Sequence, residues 1–185
     1  MNTAALQYPH IKEEKTMPEF TCLYRKNRRR FRTLPAMYAQ YRRQTVINHG
    51  GDEYPLRVFR RELMRVLRRT DECVWSNNPR AFIVLHEGRT VLGFADIRTV
   101  SKDLLQTDFP YGTVEDFCVA ESERRKGYGR KLYERVEKVM RENGTKTVLL
   151  TPDPKTGNAF WEKMGYTPTE DFIPDTHSRI WRKDL

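Results

Sequence analysis

TVEDFCVAESERRKGYGRKLYERVEKVMREN, residues 113–143, carries two patterns in succession. From Thr113 to Ala120 the apolar positions are Val114, Phe117, Cys118 and Val119, a β-favouring run that predicts a strand. From Gly127 to Asn143, Tyr128, Leu132, Val136, Val139 and Met140 recur at three- and four-residue spacing, the stripe of an amphipathic helix. Asn143-Gly144 supplies a stop, because either residue tolerates the left-handed conformation. Between strand and helix lies Glu121-Ser122-Glu123-Arg124-Arg125-Lys126-Gly127-Tyr128-Gly129. The first N–H groups of a helix have no partner inside it, and the helix dipole adds partial positive charge there. Arg124, Arg125, Lys126, Arg130 and Lys131 add full charges. The pattern fits a phosphate or pyrophosphate. It equally fits a tight basic turn that only joins a strand to a helix.

Spacing separates the nucleotide motifs. A Walker loop needs Gly-Lys-Ser/Thr, and none follows these glycines. A dinucleotide fingerprint needs Gly or Ala three residues after the second glycine, where this chain has Leu132. Arg124-x-x-Gly127-x-Gly129 does resemble the Gln/Arg-x-x-Gly-x-Gly/Ala signature with which the GCN5-related N-acetyltransferase (GNAT) family binds the acetyl-CoA pyrophosphate. Val114 to Val119 resembles that family's fourth strand. Asn158-Ala159-Phe160-Trp161-Glu162-Lys163-Met164-Gly165-Tyr166 resembles its Phe-Tyr-Glu-Lys-x-Gly-Phe segment. The resemblance covers residues 80–185 by motif and the N-terminal portion by element order.

Working outward, the 185 residues suit one domain with a full core. Charged residues make up 32% and apolar ones 38%, so the class is globular, and no apolar run approaches the roughly 20 residues of a membrane span. Residues 1–18 read as a flexible arm without the apolar centre of a signal peptide, and 19–185 as a single domain. Cys22, Cys73 and Cys118 are an odd number without metal-ligand spacing, and a cytoplasmic setting is the simplest expectation. His10, His49, His86 and His177 form no cluster with them, so no metal is expected.

Phe20 to Tyr24 reads as a first strand. Leu34, Met37, Tyr38 and Tyr41 mark a helix, with Pro35 in its first turn. A second helix is predicted over residues 55–69, with Leu56, Phe59, Leu63, Val66 and Leu67 inward and six arginines outward. With the run Arg25 to Arg32, these give much of the net charge of +9. That charge suits RNA, an acidic partner or the phosphates of CoA, or is a solvated basic face. Ala81 to His86 and Thr90 to Val100 read as a hairpin, in which Gly93 marks a bulge or a close backbone approach. Ser101 to Gly112 reads as a loop. Its Phe109-Pro110-Tyr111-Gly112 either borders the acceptor site, as the family permits, or simply packs. Short strands at Thr147 to Leu150, Tyr166 to Pro168 and Arg179 to Arg182 complete the order β, α, α, β, β, β, α, β, α, β, β. That order agrees with the family's α/β fold, a mixed, mostly antiparallel seven-stranded sheet with about four helices.

The resemblance implies acetyl transfer from acetyl-CoA to an amine. An ammonium must lose a proton before it attacks, and the developing oxyanion needs N–H donors. By family analogy, backbone at Phe117, Cys118 and Val119 would pair with the pantetheine arm, with the Val119 N–H as oxyanion donor. Arg124, Arg125, Lys126, Gly127, Tyr128, Gly129 and Arg130 would hold the pyrophosphate, with Asn158 and Trp161 nearby. Glu115-Asp116-Phe117 resembles diamine acetyltransferases, which implies Glu115 and Asp116 as the groups that hold and deprotonate the amine. Strand alternation puts those two on opposite faces unless a bulge intervenes. Salt bridges to arginines are the other role open to them. Trp161 stands where many members have a tyrosine that protonates the sulfur, leaving Tyr128, Tyr133 and Tyr166 as substitutes. Pro154 stands where the family has Asn. The expected acceptor is a small-molecule amine. A protein amine, an aminoacyl-tRNA, or a CoA-binding module without turnover are the alternatives, and homodimers are common in the family.

Overall fold

The computed structural model describes residues 17–73, 80–101, 111–174 and 176–185. Of the expectations above, most of the N-terminal arm, His10, Phe109 and Pro110 lie outside the described residues.

The elements in chain order are β1 (Glu19–Cys22), α1 (Leu34–Asn48), α2 (Leu56–Cys73), β2 (Arg80–Glu87), β3 (Thr90–Ser101), β4 (Tyr111–Val119), α3 (Tyr128–Glu142), β5 (Thr147–Leu150), α4 (Asn158–Lys163), β6 (Thr167–Ile173) and β7 (Ser178–Asp184). The seven strands form one sheet in the order β1-β2-β3-β4-β5-β7-β6. β4 and β5 run parallel, and the other neighbouring pairs are antiparallel. This is the mixed, mostly antiparallel sheet with four helices expected from the sequence.

Alternation along β2 and β3 divides the core in two. Phe82, Val84 and Phe94 face α1 and α2 and pack on Leu34, Tyr38, Leu63 and Leu67. Ile83, Leu85, Ala95 and Ile97 face the opposite way and pack on Leu132, Tyr133, Val136 and Met140 of α3. β2 is therefore covered on both faces, and it reads as a continuous apolar run for that reason.

Several boundaries differ from the sequence reading. β4 begins at Tyr111, not Thr113: Tyr111 pairs with Ser101, Gly112 with Val148, and the Tyr111 ring is fully buried with Leu149 and Ile180. Tyr111 is thus a core residue, not part of a site-bordering loop. The glycine at 112 disguised the strand; a Cβ there would lie 2.8 Å from Thr145 Cγ2. α2 runs on to Cys73, and within that added turn Thr70 is buried and donates its hydroxyl to the Val66 carbonyl (3.1 Å). β1 is paired over Glu19–Cys22, although the Leu23 N–H still donates to the Phe82 carbonyl.

Candidate active site

β4 carries the site, and its two edges behave differently. Along β3 the register jumps: Asp96 lies opposite Asp116, but Ile97 lies opposite Val114. Glu115 is therefore the extra residue of a β-bulge. Val114 packs with the α3 core, whereas Glu115 and Asp116 both line a cavity of about 280 Å³ under α1 and α2. The bulge removes the opposite-face placement that strict alternation would impose. Toward β5, only Gly112 and Thr113 are paired; beyond them β5 leaves the strand. The Ala120 N–H donates to the Leu92 carbonyl on the β3 side, so alternation turns the amides of Phe117 and Val119 to the open edge. There the Phe117 N–H donates to the Tyr41 hydroxyl (3.2 Å).

The two carboxylates have different surroundings. Asp116 is 5% exposed and accepts hydrogen bonds from the Tyr38 hydroxyl (3.1 Å) and Arg42 (3.2 Å). Burial pushes its carboxyl upward, and the Arg42 guanidinium and Tyr38 oppose that. Glu115 is exposed to the cavity. One of its oxygens accepts from the Thr113 hydroxyl (2.6 Å) and stands 3.4 Å from Arg98 Nε. Arg42 also bridges to Glu62 (3.1 Å). Beneath them Arg80 Nε donates to Asp96 (2.8 Å) in a buried pair, which anchors β2 to β3 across from Asp116.

Two further groups bear on the chemistry. Burial, reinforced by Asp116, holds the Tyr41 hydroxyl well above the ordinary tyrosine range, so it keeps its proton. Burial pushes the Cys118 thiol up to about 12. At neutral pH Cys118 is a thiol, not a thiolate, and a poor nucleophile.

At the far end of β4 the chain makes a short turn (Glu121–Glu123) and enters α3 through Gly127, whose φ of 86° is left-handed. A Cβ on Gly127 would meet nothing within 4 Å, so the space in front of the helix start is open. Arg125 is also left-handed, at 65°. Alternating backbone hand lets successive amides converge on an anion. Arg124 Nε donates to the Val119 carbonyl (3.3 Å), and Lys126 pairs with Glu123 (3.0 Å). Gly129 faces Phe160, where a Cβ would lie 3.1 Å from Cε2. Tyr128 donates to Glu87 (3.2 Å).

The acetyltransferase (GNAT) family model matches residues 35–166. The chain belongs to the GNAT family. It is a GNAT acetyltransferase by sequence model and by fold. Similar solved structures include the PaiA N-acetyltransferase of Thermoplasma acidophilum in complex with coenzyme A, with 17% identity, TM-score 0.66, and coverage of 91% of this chain and 99% of that one. PH1933 of Pyrococcus horikoshii superposes with 15% identity and TM-score 0.67, covering 91% and 99%. The ribosomal-protein-S18-alanine N-acetyltransferase of Escherichia coli superposes with 15% identity and TM-score 0.58, covering 91% and 94%. No curated protein matches the chain in sequence.

In this GNAT acetyltransferase the structure brings Glu115, Asp116 and the open edge at Phe117 to Val119 together, with the Arg124-to-Arg130 turn at the strand's end. Asn158 is exposed at the start of α4. Trp161 is 6% exposed, edge-on to Phe117 (5.1 Å), Tyr133 (5.7 Å) and Tyr166 (5.3 Å). Tyr133 and Tyr166 are buried in this cluster and bond each other (3.1 Å), so neither faces the open edge as a proton donor. Tyr38, Tyr41, Arg42 and Arg98 border this candidate site, and sequence reasoning missed them. The two tyrosines looked like two more inward positions of α1. No described helix is long and apolar enough to cross a membrane, and no group of three metal-ligating side chains occurs among the described residues.

Proposed function

We propose that the protein transfers the acetyl group of acetyl-CoA to a primary amine of a small molecule by direct attack. The bulge at Glu115 supports this reading most strongly: it aims two carboxylates into one cavity beside the stretch where β4 loses its partner.

The chain fits the cosubstrate at both ends. The open space at Gly127, the free helix start and the arginines around it suit the pyrophosphate. The edge at Phe117 to Val119, which β5 does not cover, suits an arm that completes the ladder. When bound, acetyl-CoA supplies an acyl group activated as a thioester. Glu115 holds the incoming ammonium and takes its proton, directly or through one water. The freed amine nitrogen then forms its bond to the acyl carbon as the carbon–sulfur bond breaks. The Val119 N–H faces the oxygen on which charge develops. Tyr41 accepts from the Phe117 N–H and keeps its proton, so its hydroxyl can donate a hydrogen bond to the departing sulfur. Asp116, tied to Tyr38 and Arg42, positions these groups. Cys118, held as a thiol, takes no part, which favours direct attack over an acetyl-cysteine route.

The test is Glu115→Gln. Turnover, followed by thiol release, should fall about 10²-fold or more, while acetyl-CoA affinity stays unchanged. An equal loss of both would remove Glu115 from the role of base. An amine carried on RNA is the competing acceptor, favoured by the exposed Arg57, Arg60 and Arg61 of α2. A steep salt dependence of RNA binding would select it.

A further inference from the structure

The acceptor cavity carries more positive than negative charge, and the ion pairs show which charges are committed. Its lining holds three carboxylates, Glu62, Glu115 and Asp116. Arg42 serves Glu62 and Asp116 together, and Arg98 stands on Glu115. Arg80 is spent on the buried Asp96. Two lining residues remain, Arg65 and Arg69, for which no carboxylate partner occurs among the described residues. They sit one turn apart on α2, exposed on the side of the helix that faces the cavity. Like charges at this spacing weaken a helix, so an unpaired i, i+4 arginine pair is a local cost to α2. An anion between the two guanidinium groups would turn that repulsion into attraction, with the planar two-pronged geometry that arginine offers carboxylate or phosphate.

Resting on the acetyltransfer reading above, we infer that the acceptor is a small amine that also carries an anionic group, held with its anion on Arg65 and Arg69 and its amine on Glu115. A diamine fits poorly. Its second ammonium would approach two uncommitted guanidinium groups, and the lining carboxylates other than Glu115 are both tied to Arg42. The cavity's size, at the small end of ligand pockets, suits a molecule of amino-acid dimensions. The shared chemistry is an anion a few bonds from a primary amine, met equally by a carboxylate or a phosphate.

The experiment is acetyl-CoA-dependent thiol release with matched amines on the whole protein. The amines are 4-aminobutyrate, glutamate, O-phosphoethanolamine, butylamine and 1,4-diaminobutane, tested with wild type and with R65Q/R69Q. Carboxylate or phosphate amines should have the highest kcat/KM, and whichever of the two leads identifies the anion. In the double variant KM for those amines should rise roughly tenfold or more, with kcat and the KM of butylamine little changed. The variant's melting temperature should hold or rise, because the repulsion is gone. A preference for 1,4-diaminobutane, or an equal effect of the variant on every amine, overturns the inference. Turnover of none of these amines by a protein that CoA stabilises also overturns it, while leaving the cofactor reading standing. Failure of CoA to stabilise the protein overturns the reading beneath it.

Discussion

Tyr41 of α1 and Cys118 of β4 both lie next to Phe117, and the physical environment assigns them opposite fates. Tyr41 holds its hydroxyl on the Phe117 amide at the open edge of β4, with its proton unspent. Cys118 turns to the α1/α2 core, where burial keeps the thiol protonated. Tyr41→Phe should therefore slow turnover by about tenfold and leave the fold intact. The effect is moderate because a thiol leaving group, near pKa 8.5 in the unperturbed case, needs little help. Cys118→Ala should keep most of the turnover. Steady-state thiol release checks both, and a loss with Cys118→Ala as deep as with Glu115→Gln would revive a covalent route. None of this was legible for Tyr41, since a tyrosine on the inward stripe of a helix reads as core until the opposite strand is known to end early.

At the scale of elements, β4 works because its two neighbours are unlike. β3 must stay tight against it to hold the bulge, and β5 must leave it. Gly93 secures the tight side. A Cβ there would stand 2.8 Å from the Cys118 carbonyl and 3.3 Å from Leu132 Cδ2, so backbone and α3 both block it. Gly93→Ala should cost about 1–3 kcal/mol, read from denaturant unfolding, by prising β3 from β4 where the site is built. A near-neutral result would mean that the two strands separate freely. The sequence flagged Gly93 for this reason, a glycine inside an otherwise apolar strand. It placed the helix start at Gly127 as well, though not the left-handed backbone there. In the sequence the bulge at Glu115 is one of two options, because a single sequence shows alternation but not which residue escapes it. The fate of Trp161 was also hidden: with Phe117, Phe160, Tyr133 and Tyr166 it fills the space between α3, α4 and β4.

For the whole molecule, the net charge stays at +9, but several of its arginines are paired with carboxylates on the surface. Arg25 pairs with Asp71, Arg43 with Glu53 and Arg68 with Glu72. Exposed pairs of this kind add little stability, but they thin the field that a polyanion would feel. The phosphate end of CoA should still find the Arg124-to-Arg130 turn. A ligand at one hundred times its dissociation constant adds about 2.7 kcal/mol. At this chain length that is a rise in melting temperature of very roughly 5–10 °C. The expected result in parallel melts is a shift with CoA and acetyl-CoA and none with NAD. No shift with either CoA species would return Gly127 and Gly129 to the role of a structural turn.

The sequence by itself determined the element order, the glycine turn at a helix start, and the family. Those follow from periodicity and short-range backbone demands, which are local and survive in one dimension. Only the tertiary structure decided how the carboxylates are placed. Glu115 and Asp116 share a cavity because β3 and β4 slip register between Asp96 and Ile97. Asp116 is held because α1 lays Tyr38 and Arg42 across it. Arg65 and Arg69 face that cavity because α2 packs Leu63, Val66 and Leu67 onto the sheet. Each is a contact between residues far apart in the chain, fixed by packing and register, and no window of sequence contains both partners.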